Sequence, residues 1–254
     1  MILNRLANRL RKGDWGTVII EILIVVVGIF LGLQVDDWNE LRKERHRETR
    51  YLERLYEDLE QDIQTIRSSL DSYSARQDMG DFLLEAIKNP ELVRSDQSRF
   101  VTYIQLAAMT TPPAISDHTF EEVKFSGDLV IIQNEALRSD LSKYYTDIER
   151  FGQYTFSRET AKINYGNARL GILTADQIRS IMKLGPSASE TLVFSNDEAW
   201  QAYQRMIQKP AFINEIPRGT NHGHEIRTYT GWMQKARDLR AEIGENLGRD
   251  RTIP

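Results

Sequence analysis

Cysteine is absent from the 254-residue sequence, which excludes a disulfide-stabilised scaffold. Glycine and proline are scarce, at 15 and 7 residues, so the chain is neither collagenous nor dominated by linkers. The formal net charge is only -4 and the pI is near 5.7, which argues against the basic surface that binds nucleic acid. With 41% hydrophobic residues, the composition predicts a folded chain of one compact domain, with or without an appendage.

Catalytic motifs are missing as well. The sequence contains no Walker A, G-x-G-x-x-G, G-x-S-x-G, H-E-x-x-H, EF-hand or paired C-x-x-C motif. Residues 221–225 bring His222, His224 and a carboxylate into one predicted loop, where a polar cap of the last helix is favoured over a metal site. Residues 116–118 are Ser-Asp-His, but chain neighbours do not form a catalytic triad. We therefore predict no catalytic residues, no metal and no cofactor.

One long apolar run is present near the start of the sequence. Residues 17–35 contain only three polar side chains, Thr17, Glu21 and Gln34, and at about 1.5 Å per residue they extend about 28 Å, close to the ~30 Å hydrocarbon core of a bilayer. A cleaved signal peptide would end in small residues, whereas this run leads into acidic ones. We predict a transmembrane helix over 15–35 and a single crossing of the lipid bilayer.

Charge on either side of the apolar run predicts its orientation. Arg5, Arg9, Arg11 and Lys12 precede the run, and Asp36, Asp37 and Glu40 follow it. This asymmetry favours a cytoplasmic N-terminus and a C-terminal domain on the other side of the membrane. Apolar residues recur every three or four positions over 1–14, which predicts a cytoplasmic amphipathic segment on the membrane surface, with a frayed cationic tail as the alternative.

A stripe of small residues runs along the predicted span. At about 100° per residue, one face carries Glu21, Val25, Gly28, Gly32 and Val35. The G-x-x-x-G pair would let a second helix approach closely, so this face is a candidate helix-helix contact. The alternative is that the glycines are incidental and that Glu21 reaches the headgroups, and a proton relay at Glu21 is a third, less favoured hypothesis.

Residues 36–78 carry a heptad pattern that predicts a helical stalk. The apolar positions are Leu52, Tyr56, Leu59, Ile63, Ile66, Leu70 and Tyr73. A continuous helix from the membrane to about Tyr73 would extend roughly 50–60 Å. Three heptads fit a coiled coil between chains and one long helix of an intramolecular bundle equally well.

Residues 79–254 are predicted to form a helical extramembrane domain that packs back on the stalk. Gly80, residues 89–90, 110–113 and 185–186, and the region 210–217 mark its breaks, while Gly127 marks a turn and Asn134 caps a long helix. The last helix has one apolar face, predicted to lie antiparallel to the stalk or to the helix after Asn134. The predicted fold class is all-α.

Two stretches resemble a family of uncharacterised bacterial single-span membrane proteins, a domain of unknown function. The matching residues in the first stretch are Gln34, Trp38, Asn39 and Glu40, within LQVDDWNE. Those in the second are Ser126, Gly127, Leu129, Ile132, Asn134, Leu137, Arg138, Tyr144 and Tyr145, within SGDLVIIQNEALRSDLSKYY. The resemblance ends near Arg150. It implies an anchored envelope protein and supplies no catalytic residues. Tyr144 and Tyr145 fit core packing better than a ligand pocket.

These patterns predict a structural or interaction protein of the inner membrane, acting as a scaffold or accessory subunit. Its expected partners are the lipid bilayer and either a second copy of the chain or another membrane protein, but not nucleic acid. A periplasmic ligand-binding or sensory module that signals through a partner is the alternative, and an enzyme is the third hypothesis. The sequence identifies no small-molecule ligand.

Overall fold

The computed structural model describes residues 15–152, 155–183 and 192–249. The described residues are 84% helical, and no strand occurs among them, which confirms the all-α fold class. The helices, in chain order, are α1 (Trp15–Lys88), α2 (Glu91–Ser95), α3 (Gln97–Leu106), α4 (His118–Phe125), α5 (Glu135–Gly152), α6 (Thr155–Arg169), α7 (Ala175–Lys183), α8 (Asn196–Ile207), α9 (Pro210–Thr220) and α10 (Gly223–Asn246). A 3₁₀ turn spans Asp128–Ile131. The predicted amphipathic segment 1–14 and the predicted break at 185–186 lie outside the described residues.

Helix α1 is the axis of the molecule. It has 74 residues and, at about 1.5 Å per residue, is about 110 Å long. Its apolar N-terminal part is exposed, and its C-terminal part forms one wall of the bundle. The helix continues beyond the predicted end near Tyr73 to Lys88, because the first proline that follows is Pro90, and the residue before a proline disfavours helical geometry.

The prediction that Gly80 breaks the chain is wrong. Gly80 lies inside α1, where the buried end of α9 crosses it. A Cβ atom at position 80 would lie 2.0 Å from Oγ1 of Thr220, so only glycine allows the two helices to come this close. The glycine therefore marks a helix crossing.

The prediction of a break over 210–217 is also wrong. Pro210 occupies the first turn of α9, where its missing N–H has no helical partner to lose. Pro217 lies inside the same helix, three residues from its end. Pro217 removes one backbone hydrogen bond from the last turn, and the buried side chains of Phe212 and Ile216 hold the helix against its neighbours.

The hydrophobic core follows α1 in three clusters. The proximal core, nearest the apolar segment, joins α1 to α5 and α10 and contains Leu52, Leu55, Leu59, Ile63, Leu137, Leu141, Leu239 and Ile243. The central core consists of Ile66, Tyr73 and Tyr229. The distal core joins the end of α1 to α2, α3, α6, α7, α8 and α9 through residues that include Leu83, Phe100, Ile104, Tyr165, Met206 and Phe212.

Helix α10 runs antiparallel to α1 and to α5. Its early residue Tyr229 contacts Tyr73, with ring centroids 5.3 Å apart, and its later residue Arg240 pairs with Glu60 at 2.9 Å. The same reversal relates α10 to α5, where Nδ2 of Asn134 donates to Glu242 at 2.9 Å. Both options that the apolar face of α10 left open therefore hold, since the helix lies in the groove between α1 and α5.

The turn before α5 follows the predicted pattern. Gly127 has φ = 76°, a left-handed conformation that glycine adopts without strain. Oδ1 of Asn134 accepts a hydrogen bond from the backbone N–H of Leu137 at 3.1 Å, which caps the first turn of α5. Asp128, between them, accepts a hydrogen bond from Tyr51 Oη at 2.9 Å and pairs with Arg47, so the turn is fixed to α1.

Candidate functional site

The candidate helix-helix contact residues lie on the exposed apolar part of α1. Val25 and Val35 are exposed, and a Cβ atom added at Gly28 or Gly32 would meet no atom within 4 Å. Within the described part of the chain, this segment is the one helix apolar and long enough to cross a membrane. Because none of its most apolar residues is buried, the segment differs from the core helix of a soluble protein.

The heptad residues of the stalk are covered by the chain's own helices. Leu52, Leu59, Ile63, Ile66 and Tyr73 are buried, and Tyr56 and Leu70 are half-buried. Their partners include Leu141 of α5 and Leu239 of α10 in the proximal core, and Tyr229 in the central core. The stalk is thus one long helix of an intramolecular bundle over the segment where heptads occur.

The triad-like residues 116–118 do not converge. The side chain of His118 is 93% exposed, whereas the hydroxyl of Ser116 turns inward and donates to Oδ1 of Asp58 at 3.2 Å. The backbone N–H of Ser116 donates to Oδ1 of Asp62 at 2.7 Å. This segment therefore fastens the loop before α4 to α1.

Asp62 is a buried carboxyl group at the centre of that fastening. Tyr144 Oη donates to its Oδ2 at 2.9 Å. Burial raises the pKa of Asp62 to about 6, against the opposing effect of the hydrogen bonds from Ser116 and Tyr144. Both hydrogen-bond donors to this carboxyl group, Ser116 and Tyr144, belong to the bundle itself, so its surroundings are those of a structural contact.

The two adjacent tyrosines of α5 belong to the proximal core. Tyr144 and Tyr145 are both buried, and the ring of Tyr145 stacks on Phe120 with centroids 4.5 Å apart. Tyr145 Oη also donates to the carbonyl of Ser116 at 3.4 Å. Their role in the structure is packing, as the sequence favoured.

The two histidines before and within α10 point to different partners. The imidazole of His222 is buried and contacts Arg158, whereas the ring of His224 stacks on Phe151 with centroids 5.7 Å apart. Within residues 15–152, 155–183 and 192–249, no group of three metal-ligating side chains converges.

A cleft of about 830 Å³ opens beside His224, between α6, α9 and α10. Tyr73, Phe151 and Tyr229 form an aromatic side of this cleft. The rest of the lining includes six charged residues: Arg158, Glu159, Lys162, Arg218, Glu225 and Arg227. We call this space the α6/α10 cleft. Its size is that of pockets that take small organic molecules.

Arg158 connects the helices around the cleft. Its Nε lies 2.7 Å from Oε1 of Glu225, whose side chain is only 5% exposed. Its Nη2 lies 2.8 Å from Nδ1 of His222, and its Nη1 donates to the carbonyl of Arg218 at 3.4 Å. One guanidinium group thus ties α6 to the end of α9 and the start of α10. Because Glu225 is almost fully buried, removal of Arg158 would leave an unpaired buried carboxylate and destabilise this junction.

The sequence patterns missed Arg158, Lys162 and Asp62. None of the three belongs to a catalytic or binding motif, and each has a partner that is distant in the chain, as with Arg158 and His222, which are separated by 64 residues. The signal in the sequence was the polar run 221–225, which predicted a cap of the last helix; His222 directly precedes α10, but its side chain contacts Arg158 and makes no capping hydrogen bond.

Comparison with models of known families, with curated proteins and with solved structures gave no significant match for this chain. The resemblance to the family of single-span bacterial proteins therefore stays a prediction.

Proposed function

We propose that this protein is a membrane-anchored structural or interaction protein of the bacterial inner membrane, a scaffold or an accessory subunit without catalytic activity. One observation carries the proposal: the exposed apolar segment and the helix that organises the bundle core are parts of the same uninterrupted helix, Trp15–Lys88. Sharp bends in helices need a proline or an equivalent local defect, and no proline occurs within α1. The bundle is therefore held in a defined orientation relative to the anchor.

Contacts near the start of the bundle define its distance from the apolar segment along α1. Arg47 pairs with Asp128, and Oε1 of Glu48 accepts a hydrogen bond from the backbone N–H of Gln133 at 2.7 Å. At about 1.5 Å per residue, Arg47 lies about 18 Å beyond Val35 along the helix. This separation supports a role in which the bundle meets its partner at a set distance from the lipid surface.

The proposed partner of the span is a second copy of the chain or another membrane protein. Gly28 and Gly32 leave the backbone of α1 accessible along one face, and backbone approach of this kind stabilises helix pairs in lipid. We expect the doubly substituted chain Gly28→Ile, Gly32→Ile to lose mass in light scattering of the detergent-solubilised protein. The matched control is Leu23→Ile with Val26→Ile, on the opposite face of the same helix.

An unchanged mass for Gly28→Ile, Gly32→Ile, with wild-type protein larger than a monomer, would place the self-contact elsewhere. If the wild-type protein is a monomer, a second copy of the chain is excluded as the partner, and a different membrane protein is left. A pull-down from native membranes with wild-type and Gly28→Ile, Gly32→Ile protein would then test the stripe directly.

The proposed topology has a cytoplasmic N-terminus and a periplasmic bundle. Because the chain has no cysteine, single cysteines can report the two sides without background. We expect a membrane-impermeant maleimide to label Ser139→Cys, an exposed position in α5, in cells with a permeable outer membrane. The same reagent should label Asn4→Cys only after the inner membrane is broken. The reverse pattern would contradict the orientation.

A further inference from the structure

The charge of the α6/α10 cleft differs from that of the whole chain. Its lining has four cationic side chains, Arg158, Lys162, Arg218 and Arg227, and two carboxylates, Glu159 and Glu225. The chain as a whole has a formal net charge of -4. A concave site with excess positive charge in an acidic protein attracts anions.

The ion pairs in the cleft show which cation is available. Arg158 pairs with Glu225, Lys162 with Glu159, and Arg218 with Glu215 outside the cleft. Arg227 makes no hydrogen bond or ion pair with any residue in the described part of the chain, and it is exposed on α10. Its guanidinium group can therefore offer two parallel N–H donors to an oxyanion.

The other side of the cleft is apolar and aromatic. Tyr73 and Tyr229, which are almost fully buried, contact each other edge to face at its edge, and Phe151 packs against Tyr229 with centroids 5.9 Å apart. A smaller cavity, which shares Phe151 and His224 with the cleft, extends the aromatic surface to Trp232. A simple inorganic anion would leave this surface unfilled.

We propose that the α6/α10 cleft binds a small organic anion, with its carboxylate at Arg227 and its apolar or aromatic body against Phe151. The positive lining supplies the attraction, and the volume of about 830 Å³ accommodates a molecule with one or two rings. Ligand binding would add to the anchoring role of the protein and does not depend on it.

The rigid frame of the cleft supports this inference. Arg158, Glu225 and His222 lock α6 onto the junction of α9 and α10, and Lys162 Nζ donates to the carbonyl of Thr110 at 2.9 Å. These contacts fix the walls of the cleft relative to one another without a ligand. A preformed site loses little conformational entropy when a ligand binds.

The test uses full-length protein in lipid nanodiscs and isothermal titration calorimetry, with heats from empty nanodiscs subtracted. The probe is 1-naphthoate, compared with neutral 1-naphthalenemethanol and with inorganic phosphate. We expect saturable binding of 1-naphthoate and much weaker binding of both comparison compounds. Arg227→Gln should weaken the binding of 1-naphthoate roughly tenfold, the usual effect of one lost charge-assisted contact.

The matched control is Arg237→Gln. Arg237 is exposed on the same helix, has no carboxylate partner in the described structure and lies outside the cleft. Its loss should leave the affinity for 1-naphthoate unchanged. The proposal is overturned if 1-naphthoate does not bind at millimolar concentration, if phosphate or the neutral analogue binds equally well, or if Arg227→Gln binds like the wild type. None of these outcomes alters the light-scattering test of the span.

Discussion

The guanidinium group of Arg158 donates a hydrogen bond to Nδ1 of the buried His222 across 2.8 Å. Because arginine has no acceptor atom, Nδ1 is unprotonated, and the neutral imidazole carries its proton on Nε2. Burial, helped by the nearby cations Arg158, Lys162 and Arg76, lowers the pKa of His222 to about 4. The junction of α6, α9 and α10 is thus built around a neutral histidine.

A first prediction concerns the loss of stability in acid. The pKa of His222 falls from 6.5 in the unfolded chain to about 4 in the folded one, so the unfolded state binds more protons between these pH values. This group therefore reduces the free energy of unfolding as the pH falls through that window, by up to about 3 kcal/mol. In His222→Gln, which keeps an acceptor for Arg158, this part of the pH dependence should be absent.

Urea unfolding followed by far-UV circular dichroism between pH 7.5 and 4 measures this effect. His118→Gln is the control, since the side chain of His118 is 93% exposed. If the wild-type and His222→Gln curves ran parallel from pH 6.5 to 4, His222 would not be the neutral buried group that the structure shows.

A second prediction concerns Asp62, whose effect on the free energy of unfolding changes with pH in the opposite direction to that of His222. Its pKa is raised from 3.8 to about 6, so the folded state binds more protons in that window and loses stability as the pH rises through it. The loss amounts to about 3 kcal/mol. Asp62→Asn retains polar contacts for Ser116 and Tyr144 without the buried charge, and it should gain stability relative to wild type between pH 4 and pH 7.

The same urea titrations measure this gain. Asp71→Asn, an exposed aspartate on the same helix, is the matched control and should show no such change with pH. A constant difference between Asp62→Asn and wild type across this range would contradict a raised pKa.

A third prediction tests the crossing of α1 and α9. Gly80→Ala places a methyl group 2.0 Å from Oγ1 of Thr220, whose hydroxyl donates to the carbonyl of Ile216 at 2.8 Å. We expect a loss of about 1–3 kcal/mol, the usual effect of overpacking. The control, Gly166→Ala in α6, meets no atom within 4 Å and should gain about 0.5–1 kcal/mol from helix propensity. The melting temperatures of both variants measure this difference in stability, and equal melting temperatures would contradict the close crossing of α1 and α9.

A fourth prediction separates the heptad face from assembly. Leu59 is fully buried against α5 and α10, so Leu59→Ala should lower the free energy of unfolding by about 2–5 kcal/mol. The mass of the folded protein in light scattering should stay the same, because the contacts of Leu59 are within one chain. Ile163→Ala, at a position 59% exposed, is the control with little expected effect. A change of mass with no loss of stability would instead indicate a coiled coil between chains.

Local sequence signals predicted several elements correctly because their causes are local. The long apolar helix, the left-handed turn at Gly127 and the cap at Asn134 each depend on a few consecutive residues. The glycine at position 80 and the prolines of α9 gave the wrong local signal. Their meaning depends on which helix lies opposite and on where a helix starts, and neither can be read from neighbours in the chain.

The sequence by itself determined that this chain is helical, that one apolar helix can enter a membrane, and that a heptad face must be covered. Only the tertiary structure decided that α5 and α10 cover this face and that α6 meets α10 through Arg158, Glu225 and His222. The physical reason is that periodicity reports which side of a helix is apolar, whereas the partner of that side is selected by packing between residues far apart in the chain.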